Sequence, residues 1–110
     1  MSPRFLGEFE QMVLLAILQS KKKASAIAVL RELDDRAGRA VSRGSLYKTL
    51  ERMEAKGLLR WEAEAGSPDR GGHPRRLFEV TPLGITALQE SRLALHRLWE
   101  GLDSVLEGEV

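Results

Sequence analysis

Along the first half of the chain, apolar residues recur at the three- and four-residue intervals that gather side chains on one face of a helix. In LGEFEQMVLLAILQS, residues 6–20, Phe9, Met12, Val13, Ala16 and Ile17 keep this spacing, and Leu14, Leu15 and Leu18 widen it, so the pattern predicts a buried helix. Lys21, Lys22 and Lys23 interrupt the apolar run. The following SAIAVLRELDDRAG predicts a second, short helix, with Ser25 as cap, Ile27, Leu30 and Leu33 as apolar stripe, and Gly38 as the stop. A third helix is expected after Val41. Ser42 caps it, Leu46, Leu50 and Met53 fall at i, i+4 and i+7, and Gly57 ends it in the left-handed conformation.

The period then changes from helical to alternating. Leu59, Trp61 and Ala63 alternate with Arg60, Glu62 and Glu64, and RRLFEV at 75–80 answers them, which predicts the two arms of a hairpin. Between the arms lies GSPDRGGHP, glycine-rich and longer than a two-residue turn requires. Thr81 followed by Pro82 marks a helix start, a capping hydroxyl with proline at the first helical position. Ile85, Leu88, Arg92, Leu95, Trp99, Leu102 and Leu106 then keep a 3,4 spacing, so one long final helix with a coiled seam is expected. Such a seam calls for a partner helix, and a second copy of the chain would supply it. Arg92 is a charge within that stripe, able to fix register if it pairs with Glu90 or an acid across the interface.

At 110 residues the chain fits one compact unit, read as residues 1–81 for binding and 82–110 for dimerisation. Cysteine is absent, which removes disulfides and thiolate metal sites and suits a reducing, cytoplasmic setting. No apolar run approaches the ~20 residues that span a bilayer, and residues 1–10 lack the order of a signal peptide, so no membrane partner is expected. Overall charge is nearly balanced, but its distribution is not. Residues 42–76 hold eight basic against five acidic residues, net +3, and residues 82–110 hold two against five, net −3.

Three helices, a hairpin with a long basic tip, then a helix: this order is the winged helix-turn-helix, a mostly α (α+β) fold with a two-stranded wing. Its third helix enters the major groove of double-stranded DNA while the wing reaches the adjacent backbone. Anchoring Leu46, Leu50 and Met53 in the core turns Ser42, Arg43, Ser45, Tyr47, Lys48 and Arg52 toward other faces, where they can meet phosphates or base edges. Arg70, His73, Arg75 and Arg76 are the wing's counterparts. Each has a plainer reading, a solvated helix face or solubilising charges on a turn, and Tyr47 can serve both core and phosphate; helix and wing together favour DNA.

The resemblance becomes specific in LGEFEQMVLLAIL, VSRGSLYKTLERMEAKGLL and GGHPRRLFEVTPLGITAL, which are similar to the PadR family of bacterial transcriptional regulators over about residues 5 to 90. The resemblance implies a homodimeric winged-helix DNA-binding protein, usually a repressor, often relieved by a small hydrophobic or phenolic effector. It places the recognition helix on 42–56, with Tyr47 at the family's frequent tyrosine, the wing on 66–76, and the dimer contact on the C-terminal helix. At KKKASAIAV the chain departs from the family, many of whose members open the second helix with a Tyr-Gly pair. Trp99 is either a packing aromatic of the seam or the floor of a ligand pocket between subunits, as tryptophans are in some members.

Catalytic patterns are missing. GSPDRGG lacks the Gly-Lys-Ser/Thr ending that holds nucleotide phosphates, and there is no G-x-S-x-G or clustered His and carboxylate, so no enzyme, cofactor or metal is expected. His73 and His96 are far apart in sequence, and His96 is assigned to solvent or the seam. The alternative from another class is a protein-interaction module that uses the same basic face for an acidic protein.

Overall fold

The computed structural model describes residues 6–21, 23–66, 71 and 74–108. Three hydroxyl side chains start three of its helices. Ser25 Oγ accepts from the Ala28 amide at 3.2 Å, Ser42 Oγ from Ser45 at 3.1 Å, and Thr81 Oγ1 from Gly84 at 3.1 Å, each satisfying an amide that the first helical turn leaves without a partner. The helices so begun are α2 (Ala26–Ala37), α3 (Arg43–Ala55) and α4 (Pro82–Trp99). Helix α1 (Glu8–Gln19) precedes them, and there the Gly7 amide donates to Glu10 Oε1 at 3.0 Å. Gly38 (φ 65°) and Gly57 (φ 78°) close α2 and α3 in the left-handed region, as their positions predict.

Strands β1 (Leu59–Glu64) and β2 (Arg75–Val80) pair antiparallel, Leu59 opposite Val80 and Glu64 opposite Arg75. A third piece of backbone joins this sheet. The Ala24 amide donates to the Phe78 carbonyl at 3.0 Å and the Ala24 carbonyl accepts from the Phe78 amide at 2.8 Å, which ties the entrance of α2 to the base of the wing. Nothing in the periodicity around the lysine triplet announces this bridge.

The core forms where α1, α2, α3 and the wing base converge, with Val13, Leu14, Ile17, Val29, Leu33, Leu46, Leu50, Met53, Leu59 and Phe78 almost fully buried. Three expectations need correction. Ile27, assigned to the stripe of α2, is 46% exposed, and Ala26 and Val29 take the buried positions. Leu15 and Leu18 of α1 are exposed rather than buried, because only one side of α1 meets the other helices. In the hairpin only the base is packed: Leu59 is buried, whereas Trp61 and Ala63 are exposed.

The last helix is also not continuous. Helix α4 ends at Trp99, Glu100 turns to an extended ψ of 133°, Gly101 takes φ 78°, and a separate short helix α5 (Asp103–Leu106) follows. Glycine's freedom at positive φ makes the break cheap there, and Leu102 and Leu106 therefore do not extend the α4 stripe. The small residues Gly84, Ala87 and Ser91 form the buried side of α4. Gly84 is indispensable to that approach, since a Cβ there would lie 2.2 Å from the Leu58 carbonyl oxygen. The same corner is tied by the Thr81 hydroxyl, which donates to the Gly57 carbonyl at 2.6 Å.

Candidate nucleic-acid interface

The Ser42 cap fixes the direction in which α3 leaves its loop, and the first turn presents Arg43, Gly44 and Ser45 to solvent. Because Leu46, Thr49, Leu50 and Met53 face the core, Arg43, Tyr47 and Glu51, spaced four residues apart, share one outer side. They form a wall of a groove of about 500 Å³ whose other sides are Pro74, Arg75 and Arg76 at the wing base and Ser25 to Ile27 at the start of α2. The groove thus joins Arg43, Tyr47, Arg75 and Arg76, residues far apart in sequence. Ser42, Ser45 and Lys48 are exposed beside it on the same helix, and Tyr47 is half-buried, its ring packed against the core. Arg70 and His73 lie outside the described residues.

The cations of this surface divide into two kinds. Arg43 and Lys48 meet no carboxylate among the described residues. Arg52 does: its Nε donates to Glu10 Oε2 at 3.2 Å, and Lys56 Nζ donates to the same oxygen at 3.3 Å. Arg52 is therefore placed in a structural link between α3 and α1, away from the groove. Glu10 is only 8% exposed. Burial pushes its carboxyl up, but the Gly7 amide, Arg52 and Lys56 together outweigh that cost and hold it below the usual carboxylate range.

On the wing, Arg75 Nε donates to Glu64 at 2.6 Å, Arg60 to Glu79 at 3.1 Å, and the Arg76 guanidinium lies 4.5 Å above the Trp61 ring. The stack orients Arg76 without neutralising it. Trp61 was missed in the sequence as a contributor, because its alternation reads as packing; Glu51 was missed because it counts there only as an acid in a basic region.

A second groove, of about 470 Å³, lies between α1 and α4. Leu15 and Leu18 face Ile85, Leu88, Leu95 and Trp99 across it, with Arg92 and His96 on its rim of polar groups. Trp99 is 50% exposed. Arg92 forms no ion pair with Glu90, so the expected register-fixing pair is not made within one chain.

The model of the Transcriptional regulator PadR-like family matches residues 14–90. The chain belongs to this family. The regulator is 46% identical over 63 residues to the transcriptional regulator Rv3488 of Mycobacterium tuberculosis, a match over 57% of this chain, and the chain spans about half (55%) of that relative's length. A PadR family transcriptional regulator from Eggerthella lenta shares 29% identity at TM-score 0.70, over 91% of this chain and 87% of its own. A Bacillus subtilis PadR solved in complex with operator DNA overlaps 74% of this chain and 46% of its own at TM-score 0.64 and 13% identity, a likeness of fold. The family is one of transcriptional regulators, not of enzymes. Among the described residues of this PadR-like chain, no helix is long and apolar enough to cross a membrane.

Proposed function

We propose that this PadR-like regulator binds double-stranded DNA through α3 and the wing, as a homodimer joined through α4, and represses transcription until a small hydrophobic or phenolic effector occupies the groove between α1 and α4. Residues 1–81 then form the DNA-binding unit and 82–110 the dimerisation segment. The observation that carries the reading is the pair of unneutralised cations, Arg43 and Lys48, on the exposed first half of α3, next to a wing base that presents Arg75 and Arg76. Among the described residues, Arg52, Lys56, Arg60 and Arg75 each meet a carboxylate, and Arg76 lies over the Trp61 ring. The operator-bound Bacillus subtilis relative shares this fold and supports the same use of it.

The dimer rests on the exposed apolar face made by Leu15, Leu18, Leu95, Leu98 and Trp99, which in water would be the kind of patch that monomers avoid. Ile85 and Leu88, half-buried along it, and Arg92 on its rim belong to the same contact. The effector rests on the volume of the groove, within the range of sites that take small ligands, and on Trp99 at its end.

Salt titration of binding to a random duplex tests the DNA reading. Affinity should fall steeply as salt rises, and Arg43→Ala or Lys48→Ala should each reduce the slope of log K against log salt by roughly one unit. Unchanged slopes in both variants would mean that this face is only solvated. Binding to an acidic protein with none to duplex DNA would favour the interaction-module reading.

A further inference from the structure

Among the described residues, Glu51 is the one acidic side chain in the wall of the α3–wing groove. It stands two turns beyond Arg43 and one beyond Tyr47 on the side of α3 that faces the wing base. Its carboxylate is exposed and, among the described residues, has no hydrogen bond or ion pair. Of the neighbouring acids, Glu10 holds Arg52 and Lys56 and Glu64 holds Arg75, while Glu54, exposed on the same helix, does not line the groove. An unpaired carboxylate inside a surface meant for a polyanion repels every phosphate that approaches it, so it weakens binding unless it meets a hydrogen-bond donor instead. On duplex DNA the donors within reach of a groove-bound helix are the exocyclic amines of the bases.

We propose that Glu51 is a specificity-determining residue that accepts a hydrogen bond from the N4 amine of a cytosine in the major groove. The inference rests on the DNA-binding reading of α3. A carboxylate only accepts, so guanine O6 and thymine O4, themselves acceptors, are rejected. Adenine offers an amine but places the N7 acceptor beside it, against the second carboxylate oxygen; cytosine has no acceptor adjacent to its amine on that edge. About 12 Å of helix separates Glu51 from Arg43 at 1.5 Å per residue, so the cytosine lies several base pairs from the site of the Arg43 contact. Arg43 and Lys48 supply affinity that is blind to sequence, and Glu51 supplies discrimination, partly by penalising the wrong base.

The test measures base preference position by position, with the parent protein, Glu51→Ala and Glu51→Gln on a library of duplexes. The parent should prefer cytosine at one position per half-site by about ten- to a hundred-fold. Glu51→Ala should abolish that preference, leave the other positions unchanged, and bind random DNA more tightly because a negative charge has gone. Glu51→Gln, whose amide both donates and accepts, should move the preference at that position toward adenine. A change of preferred base cannot come from misfolding, and the exposed, unpartnered side chain leaves the thermal melt of both variants at the parent value. Identical preferences in all three proteins would overturn the inference while leaving DNA binding intact. No binding by the parent at low salt would overturn both it and the reading beneath it.

Discussion

Glu10 shows how one side chain can set the position of a helix, here α3. It joins the N-terminus of α1 to the last turn of α3 through Gly7, Arg52 and Lys56, and its folded-state pKa lies below the ordinary value. A carboxylate of this kind contributes stability above the ordinary carboxylate range, and the contribution is lost as pH falls through the lowered pKa. Glu10→Gln should therefore melt lower than the parent near neutral pH, by about 1–3 kcal/mol, and the difference should close as thermal melts are repeated down to about pH 3. A constant gap across that range would contradict the ionic role. Gly84 makes a different demand. With the Leu58 carbonyl 2.2 Å from a would-be Cβ, Gly84→Ala forces α4 away from the wing base, and the overpacking cost of about 1–3 kcal/mol exceeds the ~1 kcal/mol gained in helix propensity. A melt at or above the parent's would refute this. At this scale the sequence was legible wherever the chemistry is local. Ser25, Ser42, Thr81, Gly38 and Gly57 act on amides or dihedrals within three residues of themselves. The Arg52–Glu10 pair spans 42 positions, and no spacing rule reaches that far, so Arg52 read as a DNA contact.

Among the elements, the wing is held by side chains on both of its faces, Arg75 with Glu64 and Arg76 over Trp61. Trp61 is only partly covered, so Trp61→Ala should leave the fold nearly as stable as before, within about 1 kcal/mol. Arg76 then loses its orientation, and DNA affinity should fall several-fold in a titration at moderate salt; equal affinity would remove Trp61 and the stack from the interface. Helix identities were readable because the 3.6-residue period is strong in α1, α2 and α3. Which side of α1 stays open was not, because Leu15 and Leu18 belong to an apolar surface wider than one chain covers. The break after Trp99 was available in Gly101, but a single glycine was outweighed by a seven-position 3,4 pattern that continues past it into α5.

The described molecule measures 58 × 35 × 23 Å with a radius of gyration of 16.3 Å, more than the roughly 13 Å of a compact domain of about 100 residues. Helix α4 buries only a narrow stripe of small residues and leaves Leu95, Leu98 and Trp99 exposed. Leu95→Glu places a charge in that face and should convert a dimer to a monomer by light scattering at concentrations on the order of tens of micromolar. A parent that is already monomeric there would contradict the assembly. A two-fold dimer presents two copies of α3 and two wings, so its target should mirror that symmetry. Enrichment of random duplexes on the purified protein tests this whole account at once. The prediction is an inverted repeat whose half-sites are separated by about one helical turn, 10–10.5 base pairs, or a multiple of it; a library that emerges without any enriched sequence at low salt would contradict it.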